Sequence, residues 1–270
     1  MKFADLTEDQ WEYIKCFLPP QPMVGRKRAG DRRTINGILY VLKTGCKWED
    51  MPRCYGSYVT AWRRLRRWSE EGVWFKVHCA ICDTAYGAGK FVGRYRSSRQ
   101  HLNRFKKGGD FSSYNGHKRR KGVKVHVSVS TEGLPLSIVL SPGNEHDSKR
   151  FIEVLDGIRI RNDIVRPRSR PIEVLADAAY DDKEIRLYLR QRGIKSNIPV
   201  NKRNRRSPKT GRPTRFNPSS YGLRGTVERF FGWLKSSFRR LATRYERYNA
   251  CFVGLINLAC FMIYWRRVFR

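Results

Sequence analysis

Apolar residues recur along this chain at two periods, and the period changes near residue 121. Before that point it is helical. Thr7 and Gln10 stand three apart at the start of "EDQWEYIKCFL", the spacing of a capping box, and Pro19 and Pro20 stop the run. A glycine- and basic-rich link over 21–30 follows. Ile35, Ile38, Leu39 and Leu42 then fall at i, i+3, i+4 and i+7, with Gly45 placed to end a second helix. After a turn around Trp48–Pro52, Ser57 stands as an N-cap before "YVTAWRRLRRWSEEG". There Trp62 and Leu65 can pack inward while Arg63, Arg64, Arg66 and Arg67 stay outside. Helix, turn and basic helix make the outline of a helix-turn-helix. A solvated basic face on an ordinary helical bundle has the same pattern.

From residue 121 the period is two. Val123, Val125, Val127 and Val129 alternate with Lys124, His126 and Ser128, predicting a strand with one buried face. "TEG" turns it into a second strand over 134–140. A polar loop and a helix follow, then a basic loop over 161–171 and a short apolar strand, "IEVLA", which ends at Asp177. A helix over 181–192, the strand "IKSNIPV", a basic loop over 201–220 that reads as mobile and two closing helices complete the chain. Strand, helix, strand after a hairpin predicts an α/β sheet.

Composition sharpens this picture. Hydrophobic residues make up 40 % of the 270 and aromatics 13 %, enough for a sizeable core. The formal charge of +32 repels itself unless it lies on a polyanion, which makes nucleic acid the expected partner. A ribosome-associated protein or an anionic membrane surface are the blander alternatives. The opening residues have no apolar core of a signal peptide, and the apolar run 251–265 is shorter than the roughly 18 residues of a membrane span. It reads as a buried C-terminal helix. Cys79 and Cys82 form a CxxC without a second pair, so reduced thiols rather than a zinc site are expected, in a cytosolic setting.

Two places invite chemistry. Asp177 ends a strand, where functional groups gather in open α/β sheets, although a helix cap has the same look. Tyr221, Arg224, Glu228 and Lys235 would fall within roughly 60° of arc on one helix, beside Val227, Phe230, Phe231 and Leu234. Any one pair among them could be a surface salt bridge. An acid, two cations and a phenol on one face beside large apolar residues are harder to dismiss.

Tyr-x2-Arg-x3-Glu-x6-Lys resembles the signature of insertion-sequence DDE transposases of the related fourth and fifth groups. "LTEDQWEYIKCFLPP" and "YVLKTGCKWEDMP" resemble the amino-terminal domain of the fifth group. "GHKRRKGVKVHVSVSTEGLPLSIVLSPGNEHDS", "LADAAYD" and "VERFFGWLKSSFRRLATRYER" resemble its catalytic domain, in order along the chain. The resemblance implies a small all-α, helix-turn-helix-like DNA-binding domain over 1–78 and a connector over 79–120. It then implies an α/β, ribonuclease-H-like catalytic domain with a mixed sheet over 121–270. It also implies a cytoplasmic, nucleoid-associated protein that carries out DNA transposition and recombination by cut and paste, working as a homodimer on double-stranded DNA, both terminal inverted repeats and target. Two aspartates and a glutamate would hold two Mg²⁺ ions, with Mn²⁺ able to substitute, because clustered carboxylates alone can hold a divalent pair that activates one oxygen and stabilises another. Asp177 would be the second acid and Glu228 the third, both metal ligands. Tyr221, Arg224 and Lys235 would contact DNA near the cut end. Asn144, His146 and Asp147 are equally turn residues or supports of the site.

The first aspartate is missing from its place. An apolar strand ending in Asp-Ser-Thr is expected just before "KKGGD", where the chain reads "GRYRSSRQH". Asp83 is a weak substitute in helical surroundings, and Asp110 follows two glycines. Gly93 to His101 can be encoded, with codons chosen among synonyms, as GGT CGA TAT CGT AGC AGT CGA CAG CAC. Read one base later, that string gives Val-Asp-Ile-Val-Ala-Val-Asp-Ser-Thr, the expected strand and acid. A shift of frame near 91–93, restored near 103–106, would explain the loss, and would disturb pairing of the first strand. Two readings follow for this copy, a transposase with or without catalysis and a DNA-binding remnant or repressor. A nuclease or recombinase of the same fold is a third.

Overall fold

The structure, a computed structural model, describes residues 3–25, 27–90, 109–116, 118–160, 170–201 and 215–269, together with the backbone of 95–104. Along these residues run α1 (Glu8–Lys15), α2 (Asp31–Thr44), α3 (Tyr58–Glu70), α4 (Val73–Gly87), β1 (Tyr95–Arg104) and β2 (Ser113–Asn115). Then come β3 (Arg120–Ser130), β4 (Pro135–Pro142), α5 (Phe151–Asp156), β5 (Glu173–Leu175), α6 (Lys183–Gln191) and β6 (Lys195–Asn197). Last are α7 (Pro218–Tyr221), α8 (Thr226–Ser237) and α9 (Asn249–Val268). Contacts divide the chain into two compact units, one of residues 1–81, 103–110 and 233–270, the other of 82–102 and 111–232. These units cut across the 121–270 span expected for a catalytic domain, since the last helix clusters with the first ones.

In the helical unit, the Thr7 hydroxyl accepts from the Gln10 backbone N–H, and the Gln10 side chain accepts from Thr7 N–H in return. The capping box is therefore formed. Gly45 closes α2 in the left-handed region (φ 75°), where a side chain would strain the backbone. Ser57 occupies the N-cap of α3 but makes no capping hydrogen bond. Between α2 and α3 lie residues 45–57 with two 3-10 turns, longer than the three- or four-residue turn of a helix-turn-helix. Ile14, Ile35, Ile38, Leu42, Leu65 and Trp68 are fully buried, each such apolar side chain contributing about 1.5–3 kcal/mol. α9 is long and apolar enough to cross a membrane, more so than the run 251–265 suggested, but it is mostly buried and packs on α3 as a core helix. Gly254 permits that approach, because a Cβ there would run into Ser69 Oγ and the Trp74 ring.

In the sheet-bearing unit, β3 and β4 form the expected antiparallel hairpin, Val125 opposite Leu140 and His126 opposite Val139. β1 and β2 also pair with β3. β5 and β6 form a separate parallel pair, Val174 opposite Ser196. A strand thus forms at Tyr95–Arg104 despite its sequence, whereas disturbed pairing was the expectation. Among the described residues, however, no ladder joins it to β5.

The single buried face expected of β3 is also corrected. Both its faces are buried from Gly122 onward. The polar face, shared by Lys124, His126 and Ser128 with Ser137 and Ser141 of β4, is covered by the chain that follows. Ser137 Oγ donates to the Val154 carbonyl of α5 (2.5 Å), and Lys124 Nζ reaches Asp147 (2.7 Å) and the Glu145 carbonyl (2.6 Å). A polar face can be buried when most of its groups find partners; Ser128 Oγ is the exception here, buried without one. The basic loops expected over 161–171 and 201–220 fall largely outside the described residues.

Candidate functional site

Asp177 leaves β5 and takes the N-cap position of a 3-10 turn, Ala178–Tyr180, without capping it through its side chain. The carboxylate points instead to the segment 217–228. Asn217 caps α7 through Ser219 N–H and Ser220 N–H, and Pro218 at the first position suits the helix start. Tyr221 ends α7, Arg224 lies in a 3-10 turn over Gly222–Gly225, and Glu228 sits in the first turn of α8. The one continuous α-helix expected from Tyr221 to Lys235 is therefore interrupted by a 3-10 stretch, although the backbone stays right-handed helical at its ends. Gly222 and Gly225 bound that stretch, and glycine disfavours helix by about 1 kcal/mol relative to alanine.

Three of the expected side chains come together here. Arg224 forms a short ion pair with Asp177 Oδ1, and the Tyr221 hydroxyl lies 3.5 Å from the same oxygen. Arg224 also donates to the Tyr221 hydroxyl at 3.2 Å and lies over its ring, 5.2 Å from the centroid. Burial disfavours the Arg224 charge, but Asp177 outweighs that and raises its pKa above the ordinary guanidinium value. Glu228 is exposed, and Lys235 lies further along α8, in the part that belongs to the helical unit.

The other candidates are placed as follows. Asp83 lies within α4, with no strand leading into it. Asp110 accepts from Asn249 N–H (3.0 Å) at the start of α9, and its own N–H donates to the Arg247 carbonyl (3.0 Å). Asp147 is held by Lys124, the His146 ring accepts from Ser148 N–H (3.4 Å), and Asn144 N–H donates to Ser113 Oγ (3.0 Å). These three serve the loop after the hairpin.

On α3, Arg64 pairs with Asp31 at a half-buried site and donates to the Ala29 carbonyl (3.1 Å). Arg66 pairs with Glu70 and Arg67 with Glu71, both at 2.8 Å, while Arg63 is exposed. Much of the expected basic face is therefore balanced by acids of its own unit.

Among the described residues no group of three His, Cys, Asp or Glu side chains could hold a metal ion. Asp177 is taken up by Arg224, and Tyr95–Arg104 carries no acidic residue. Among the described residues, the side chains do not form the two-ion site that the resemblance implies.

A family model for the transposase DDE domain matches residues 89–265, and one for transposases of the IS4/5 family matches 6–78. A protein assigned as transposase for insertion sequence element IS402 of Burkholderia cepacia is 33 % identical over 152 residues, 56 % of this chain and 66 % of that protein. One assigned to element IS6501 of Brucella ovis is 32 % identical over 144 residues, 53 % of this chain and 98 % of its own length. In fold, the chain is similar to the piggyBac transposase in its synaptic complex with hairpin DNA, with a TM-score of 0.51 and 14 % identity. That similarity covers 95 % of this chain and 70 % of the other. The family as a whole uses divalent metal ions. With its DDE domain matched over 89–265 and an IS4/5-type region before it, this chain belongs to the DDE transposase family.

Proposed function

We propose that this chain binds the DNA ends of an insertion sequence as a transposase does, but has lost the metal-dependent cleavage and strand transfer of its family. One observation carries the second half: Tyr95–Arg104, where the first acid of the family is expected, carries no acidic residue that could complete a metal site beside Asp177. Two ions brought together by too few carboxylates would repel each other and keep their water, so neither nucleophile nor leaving oxygen would be served. The formal charge of +32 supports the first half. Double-stranded terminal repeats and target DNA are the partners, two copies of the chain the working assembly, and the cytosol its setting. A chain that grips the ends without cutting acts as a repressor of intact copies.

The origin proposed for the loss is a paired shift of frame across residues 93–101. The nucleotide sequence of codons 88–110 tests it directly. A neighbouring frame that yields an apolar run and Asp-Ser-Thr supports the proposal, and a frame without them refutes it. An end-cleavage assay with Mg²⁺ or Mn²⁺ tests the loss itself: bound but uncut terminal DNA is expected. Cleavage that disappears in Glu228→Ala would overturn it.

A further inference from the structure

Within the helical unit, a cleft of about 330 Å³ opens between the turn before α3, α3 itself and the segment leading into α9. Its walls are Trp48, Trp62, Tyr245 and Tyr248, with Arg240 and Arg247 among them. The rings are not consumed by a hydrophobic core. Tyr245 is 37 % and Tyr248 39 % exposed, and Trp48 and Trp62 are half-buried. Trp62 and Tyr248 lie 6.2 Å apart between ring centroids, 53° from parallel. Guanidinium groups stack on these rings: Arg66 over Tyr248 at 4.3 Å, and Arg240 over Tyr245 at 4.7 Å and Trp48 at 5.8 Å.

Glu246 lies buried in this cleft, 5 % exposed. Its Oε1 is saturated, accepting from Arg240 Nε (3.0 Å), another Arg240 nitrogen (2.9 Å) and Trp48 Nε1 (3.3 Å). Its Oε2 is buried and has no hydrogen-bond partner. A buried acceptor left unmade costs about 1–3 kcal/mol, more when charged. In a cleft of aromatic faces it is an acceptor set beside stacking surfaces.

We infer that this cleft binds one unstacked nucleobase bearing an exocyclic amine, cytosine above all, from a strand lying on the helical unit. The aromatic faces supply stacking, which any base accepts and which a π-face and a guanidinium plane both reward. Glu246 Oε2 supplies selection, since a carboxylate accepts from the N4 amine of cytosine, whereas thymine presents a carbonyl at that position. Arg66 and the exposed Arg247 stand where the adjoining phosphates would run. The inference rests on the DNA-binding reading above but not on the state of the metal site.

The test is equilibrium binding of the full chain to labelled single strands of dC12 and dT12 at one salt concentration, with a duplex as control. Equal length and salt cancel the phosphate contribution, so the difference reports on the bases. We expect dC12 to bind at least several-fold tighter than dT12. Trp62→Ala and Tyr248→Ala, both at exposed or half-buried rings, should each weaken dC12 about tenfold and leave duplex binding unchanged. Glu246→Gln should equalise dC12 and dT12. Equal affinities in the native chain, or indifference to Trp62→Ala with the fold intact by thermal melting, overturn the inference while leaving the DNA-binding reading in place. Absence of binding to every strand and to the duplex overturns both.

Discussion

Acidification should weaken the sheet-bearing unit through a single side chain, His126. Its imidazole is 1 % exposed, hydrogen-bonded to Ser141 Oγ at 2.8 Å, and set near the positive charges of Lys124 and Arg150. Burial first, and then those two cations, push its pKa down to about 4 from an ordinary 6.5. Above pH 6.5 the folded and unfolded chains both hold the ring neutral. As the pH falls below 6.5 the unfolded chain takes up a proton that the folded one refuses, so stability declines until the folded ring itself titrates near pH 4. At about 1.4 kcal/mol per pKa unit, the whole gap is worth roughly 3 kcal/mol, about 2 of which is lost by pH 5. Urea unfolding at pH 7.5 and pH 5.0, at fixed ionic strength, measures it. Carboxylates elsewhere also titrate in this range, so the comparison is with His126→Gln, which keeps a polar group within reach of Ser141 but cannot be protonated. The variant should lose about 2 kcal/mol less than the native chain over the interval. Equal losses in the two proteins would refute the reasoning, because the acid sensitivity would then belong to other groups.

Asp147→Ala leaves Lys124, whose side chain is 9 % exposed, without its carboxylate. A destabilisation of about 3 kcal/mol is expected by chemical denaturation. Gly109→Ala places a Cβ 2.6 Å from the Arg247 carbonyl oxygen and 2.8 Å from its Cα, backbone that cannot swing aside; a loss of about 1–3 kcal/mol should appear as a lowered melting temperature. Replacing Gly93–His101 by Val-Asp-Ile-Val-Ala-Val-Asp-Ser-Thr should create a Mn²⁺ site visible by calorimetry that the native chain lacks, together with metal-dependent cleavage of terminal DNA.

Much of this architecture was legible because its determinants are local. Thr7 and Gln10 satisfy each other within one turn, Gly45 stops α2 by its own backbone freedom, and the valines of β3 announce a strand by alternation. Asp177 could be singled out because a short apolar strand ends just before it. What escaped was non-local. The polar face of β3 reads as solvent-facing until Asp147 and α5 arrive to cover it. Arg64 reads as a free cation because Asp31 lies far away in sequence. Spacing alone joins Tyr221 to Lys235 on one helix, whereas a 3-10 stretch over Gly222–Gly225 interrupts it, and Arg224 within that stretch pairs with Asp177. The cleft around Glu246 was the hardest to foresee. Trp48 and Glu246 are joined by a hydrogen bond across most of the chain, and the sequence signal is the density of arginine and tyrosine in "RRLATRYERY".

The two halves of the functional reading stand on separable features. In the neighbouring frame Arg94, Arg96 and Arg99 disappear and two aspartates enter, which would lower the formal charge by five, from +32 to +27. A chain at +27 still repels itself and still calls for a polyanion. Attraction to DNA therefore does not depend on how residues 93–101 are read, and neither does the cleft that holds Glu246. On the proposed reading the metal site does depend on them, because a divalent pair needs acids from separate strands and helices to converge, and the loss of one removes both charge and geometry. The Arg224–Asp177 pair is what an isolated carboxylate beside a cation should do in the absence of a stronger charge. Being part-exposed, it is worth about 1 kcal/mol at most. A bound divalent ion would compete easily with so weak a partner, so a restored first acid should be enough to release Asp177 without any change at Arg224.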